Sequence, residues 1–100
     1  MKKIDLTDVT FCIPVHLDSI HRKQNLELIL KFLRYYFDTN IAVGEITYDS
    51  KPKLAHLQKD YMYVHYDNPE KFFHKTKLLN MLYLKTETPY VFSYDCDVLF

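Results

Sequence analysis

Val9-Thr10-Phe11-Cys12-Ile13-Pro14 is a short, continuous apolar run closed by a proline. A run without polar alternation marks a strand buried on both faces, and the proline marks where its ladder stops. Beyond the polar stretch 16–22, Leu26, Ile29, Leu30, Leu33, Tyr36 and Phe37 recur at helical spacing as one apolar stripe. Glu27 and Lys31 form an i,i+4 pair on the opposite face. Asp38-Thr39-Asn40 ends that helix, and residues 41–47 read as a second buried strand. Asp49-Ser50-Lys51-Pro52 supplies a cap and a proline suited to opening a short helix over 53–58. Residues 61–66 read as a third strand, closed by Asp67-Asn68-Pro69. A helix follows over 72–84, with Phe72, Thr76, Leu79, Leu82 and Tyr83 facing inward. Residues 90–94 are a fourth strand, which delivers Asp95-Cys96-Asp97.

Strands alternating with helices predict an α/β fold with a parallel sheet. Right-handed crossovers give a Rossmann-like sheet of order 3-2-1-4, flanked by helices. Ligands bind such sheets outside the carboxyl ends of the strands, at the point where the order reverses, here between strands one and four. Pro14, His16, Glu45 and the pair Asp95 and Asp97 fall at those ends.

Composition narrows the chemistry. A chain of 100 residues is one domain at most, and 48% apolar residues are enough to build a core. Lys and Arg (13) balance Asp and Glu (13), which argues against nucleic-acid binding and against a polybasic membrane anchor. No apolar run approaches the length of a bilayer span, and no signal-peptide core follows Met1-Lys2-Lys3, so the expectation is a soluble protein, and two cysteines read as free thiols add a reducing, cytoplasmic setting. Cys12 and Cys96 make neither a CxxC nor a zinc set and read as buried thiols. Gly44 is the only glycine, which excludes GxGxxG and Walker loops.

Asp95 and Asp97 stand at i and i+2, so in extended backbone both carboxylates project from one face. Like charges so close raise each other's pKa unless a cation lies between them. Mg²⁺ and Mn²⁺ suit that role, because they take one or two carboxylates together with phosphate and water oxygens. The competing reading is a surface loop with two acids.

The blocks Phe73-His74-Lys75-Thr76-Lys77-Leu78-Leu79-Asn80 and Tyr90-Val91-Phe92-Ser93-Tyr94-Asp95-Cys96-Asp97 resemble the nucleotide-sugar half of GT-A glycosyltransferases. The likeness is to the beta-1,4-galactosyltransferase pattern F-x-R-x-K-L-L-N followed by F-S-D-x-D. Cys12-Ile13-Pro14 and the acid Glu45 closing strand two are similar to family 2 glycosyltransferases, so the likeness spans about residues 9–100. It implies that the chain, 1–100, is a single truncated subdomain, the amino-terminal half of a GT-A fold. The implied activity is metal-dependent transfer of a hexose from a UDP-sugar donor to a saccharide or other acceptor. Asp97 would hold Mn²⁺ or Mg²⁺ on the diphosphate, with Asp95 by the ribose and donor sugar. Phe73 and Lys75 would flank the uracil, Lys75 standing where the pattern has arginine. Glu45 would approach the uridine, Pro14 would shape the pocket floor, and His16 would take the place of a basic residue. The acceptor site and any catalytic base are implied beyond Phe100. The chain alone would then transfer no sugar and would self-associate through its carboxyl-terminal edge, where Tyr90, Phe92 and Val98-Leu99-Phe100 stand.

Without that likeness, Lys75 and Lys77 read as a solvated helix face, Phe73 as core and Asn80 as a structural side chain. Glu45 reads equally as a structural acid at a strand end. His16, His21, His56, His65 and His74 are too scattered for a metal set. A nucleotidyltransferase-like or non-catalytic nucleotide-sugar-binding module, and a plain α/β interaction domain, are the alternative functions.

Overall fold

Residues 41–47 are buried without a break, as the central strand of a sheet covered on both faces must be. The computed structural model describes residues 2–17, 20–67 and 75–94, giving the backbone alone for Lys75 and Thr76. Its elements are β1 (Ile4–Val15), α1 (Ile20–Tyr36), β2 (Phe37–Thr47), a 3₁₀ turn (Ala55–Lys59), β3 (Met62–Asp67), α2 (Lys75–Lys85) and β4 (Tyr90–Ser93). The four strands lie in the order β3-β2-β1-β4, and every pairing is parallel. The fold is a small, Rossmann-like parallel α/β sheet with helices on its two faces. Among the described residues, no helix is long and apolar enough to cross a membrane.

Alternate residues of the strands feed two apolar layers. On one face Ile13, Val15, Ile41 and Val43 meet Leu26, Ile29, Leu30 and Leu33 of α1. On the other, Cys12, Ala42 and Val64 meet Leu82 of α2. Gly44 is needed there for space. A Cβ at that position would lie 2.9 Å from Leu78 Cδ1 and 3.0 Å from Leu82 Cδ1, so α2 rests directly on the backbone of β2.

The short helix expected over 53–58 is the 3₁₀ turn Ala55–Lys59, and the elements depart from the sequence reading in four further places. β1 begins at Ile4, ahead of the apolar run, because residues 4–6 pair with Phe37, Asp38 and Thr39 before the register shifts between Leu6 and Thr10. That irregularity takes the Thr7 and Val9 carbonyls out of the ladder, and side chains of β2 bond them instead. Asn40 Nδ2 donates to both (2.9 and 3.0 Å) and Thr39 Oγ1 to Val9 (3.0 Å). Asp38-Thr39-Asn40 is therefore strand, and Phe37 opens β2 instead of closing the helix.

β1 also runs through Pro14, which pairs with Gly44. The Cys12 carbonyl accepts from Tyr94 N–H (2.9 Å), so Cys12, and Pro14 two residues on, turn their backbone groups toward β4. The last β1–β4 pairing is Cys12 with Ser93, so the missing N–H of Pro14 costs no bond to β2. Finally, Leu78 and Leu82 form the buried side of α2, while Tyr83 is 36% exposed. Leu82 is buried and Leu79 packs on the core as the spacing predicts, but the face turns toward Leu78, which lies with Leu82 over Gly44; Phe72 and the side chain of Thr76 lie outside the described residues.

Candidate functional site

Parallel pairing brings the carboxyl ends of all four strands to one edge, and the polar side chains there fall into two groups. The β2–β3 half is consumed by internal bonds. Glu45 is fully buried. Its Oε1 accepts from Leu54 N–H (3.0 Å) and Tyr63 O–H (2.6 Å), and its Oε2 accepts from Lys53 N–H (2.9 Å). Every one of these partners is a donor, so Glu45 acts as a pure acceptor that ties the start of the 3₁₀ turn to β3. Burial first, then the bond and charge of Glu45, push the Tyr63 phenol far up, which keeps it a donor.

Next to it, Thr47 pairs with Asp67 across the β2–β3 ladder. Thr47 Oγ1 donates to Asp67 Oδ1 (2.7 Å) and lies 2.7 Å from His65 Nε2. With its hydrogen committed to the carboxylate, Thr47 accepts from Nε2–H. Ser50 N–H (2.8 Å) and Oγ (2.7 Å) complete the donors to Asp67. The Ser50 hydroxyl, and Thr47 after it, hold the Asp67 carboxyl below the usual carboxylate value.

The β1–β4 half is different. Pro14 is buried at its floor. His16, half-buried just past β1, sets Nδ1 3.0 Å from the Ile46 carbonyl and packs its ring on Tyr48 with centroids 4.4 Å apart. A carbonyl can only accept, so Nδ1 carries the proton of that bond. Arg22 Nη1 makes a long contact, 3.4 Å, to the His16 carbonyl. Across the switch point Phe92 lies against Phe11 (6.1 Å between ring centroids) yet is 55% exposed. Burial pushes the Cys12 thiol beneath this edge up to about 11, so it is a packed apolar group rather than a nucleophile.

Of the sequence-derived site residues, the structure brings Pro14, His16 and Glu45 to this edge. Lys75 opens α2, and its side chain lies outside the described residues, as do Phe73, Asp95 and Asp97. Among the described residues, no group of His, Cys, Asp and Glu is disposed to hold a metal, and no buried polar side-chain atom lacks a partner. Sequence reading missed Tyr63, Thr47, Ser50 and Tyr48. The alternation Tyr63, His65, Asp67 along β3 is the signal that these three share a face with Glu45 and Thr47.

The opposite, amino-terminal edge holds a cavity of about 210 Å³ lined by Arg34, Thr39, Asn40, Asp60 and Tyr61 among others. Arg34 is committed there to the Asp60 carbonyl (3.0 Å) and lies over the Tyr61 ring. No protein-family model, no curated protein and no solved structure matches the chain.

Proposed function

We propose that the chain is a nucleotide-sugar-binding α/β module whose ligand sits outside the carboxyl ends of β1 and β4. The observation that supports this reading most is the topology. β1 has β2 on one side and β4 on the other, all parallel, which opens a crevice at the reversal of strand order. The last described residue of the fourth-strand segment, Tyr94, still bonds to Cys12, and in sequence Asp95-Cys96-Asp97 follows it. In this reading Pro14 and His16 form the β1 wall, Phe73 and Lys75 flank the base, and Asp95 meets the ribose. A divalent cation on Asp95 and Asp97 would neutralise the diphosphate. Glu45 contributes by holding the 3₁₀ turn.

Sugar transfer from a UDP-sugar by a GT-A glycosyltransferase is the finer reading. It is favoured by the paired block 73–80 and 90–97, and it assigns no catalytic role to a described residue. Calorimetry with UDP tests the binding reading: UDP binds with Mn²⁺ or Mg²⁺ present, and Asp97→Ala removes the metal dependence. Equal UDP affinity with and without EDTA, or no binding at all, contradicts it.

A further inference from the structure

Ser50 is the one non-glycine residue with a positive φ, 59°, among the described residues. A side chain is unfavourable in that conformation and persists only where its surroundings hold it. Here Asp67 does so, taking the Ser50 N–H on Oδ1 and the Ser50 hydroxyl on Oδ2. Thr47, itself bonded to His65, orients the same carboxylate from β2. Two residues before Ser50, the same turn carries Tyr48, whose ring packs on His16. The Nδ1–H bond to Ile46 also holds that imidazole.

We propose that Asp67 is a positioning residue for His16: by clamping Ser50 it sets the 48–50 turn so that Tyr48 braces the imidazole in its Nδ1–H form at the end of β1. The clamp reaches from the third strand to the first, so a carboxylate with no place in the β1–β4 crevice governs a side chain on its wall. The functional use of the clamp rests on the donor-site reading of His16, but the clamp itself is tested without any nucleotide. The other charged groups near it, His65 on β3 and the exposed pair Asp49 and Lys53 (3.7 Å), leave Ser50 to Asp67. The Asp67 carboxyl is held below its ordinary value, so it is ionised and accepts from Ser50 at neutral pH.

The test is NMR of the imidazole ring nitrogens and protons of His16, with hydrogen exchange of the Ser50 amide. In Asp67→Ala the His16 ring protons lose the ring-current shift from Tyr48, and Ser50 exchange rises about tenfold or more. Ser50→Gly keeps the amide bond and takes positive φ freely, so it preserves the His16 signature. A purely structural role for Asp67 would lower the melting temperature while leaving the His16 signals in place, and that result overturns the proposal. If Asp67→Ala does not fold, Asp67→Asn gives the same decision: weakened bonds to Ser50 with an unmoved His16 ring contradict it. A UDP titration that fails while Asp67→Ala releases the His16 ring removes the donor-site reading and leaves the clamp standing.

Discussion

The two halves of the carboxyl edge use similar residues for different ends. On the β2–β3 side, Glu45, Thr47, Tyr63 and Asp67 bond to one another and to the loop above them, and residues 41–47 of β2 are buried without a break. On the β1–β4 side, Pro14 is buried and Phe92 is half-exposed, while the His16 imidazole just past β1 leans on β2 through Ile46 and on Tyr48 beyond it. Polar residues at strand ends therefore do not mark a binding site by position alone. Where both carboxylate oxygens are filled by protein donors, the acid is architecture.

The largest effect that sharpens this contrast is at Glu45. Glu45→Ala leaves the buried Leu54 amide and the part-buried Lys53 amide and Tyr63 hydroxyl without their acceptor, and should cost about 3 kcal/mol in urea unfolding. A loss under about 1 kcal/mol would mean the network is not structural. Gly44→Ala forces a methyl group against Leu78 and Leu82 and should cost about 1–3 kcal/mol, measured in the same way. An unchanged midpoint would show that α2 shifts freely.

Alkaline pH probes the floor of the β1–β4 side. The Cys12 thiol is raised from 9.0 to about 11, so its neutral form is favoured in the folded chain. The stability this contributes is fully present below 9.0 and is lost as pH rises toward about 11. In a Cys96→Ser background, Cys12 should resist iodoacetamide at pH 8 until denaturant is added, and fast native alkylation would place it at the surface. The smallest effect is at the rim. Phe92→Ser should change stability by less than about 1 kcal/mol, because the ring is already half in water. The same change should lower any self-association seen by sedimentation, since β4 presents Tyr90 and Phe92 beside an edge that pairs with no other strand among the described residues. A weight-average mass independent of both concentration and this substitution would remove that interface.

The strand order was legible because residues 9–13 and 41–46 are apolar on both faces and helical stripes separate the strands. Less legible was anything set by fit between elements. Residues 4–8 carry Asp5, Thr7 and Asp8 and stand outside the apolar run, yet residues 4–6 pair with β2, and side chains of Thr39 and Asn40 close the gap behind them. The turn of α2 onto Leu78 and Leu82 depends on the missing Cβ of Gly44, not on the helical pattern alone. At the edge, Pro14, His16 and Glu45 were placed by their positions at strand ends. No spacing reveals that the oxygens of Glu45 belong to Lys53, Leu54 and Tyr63, because loop amides carry no signature in a sequence.

The central claim is that the β1–β4 half of the edge holds a nucleoside diphosphate, and calorimetric titration of UDP into the whole chain, with Mn²⁺ and then with EDTA, tests it most directly. The account predicts saturable one-to-one binding with Mn²⁺, loss of that binding in EDTA, and loss of the metal dependence in Asp97→Ala. Binding that EDTA does not change, or no heat above dilution under any condition, would contradict it.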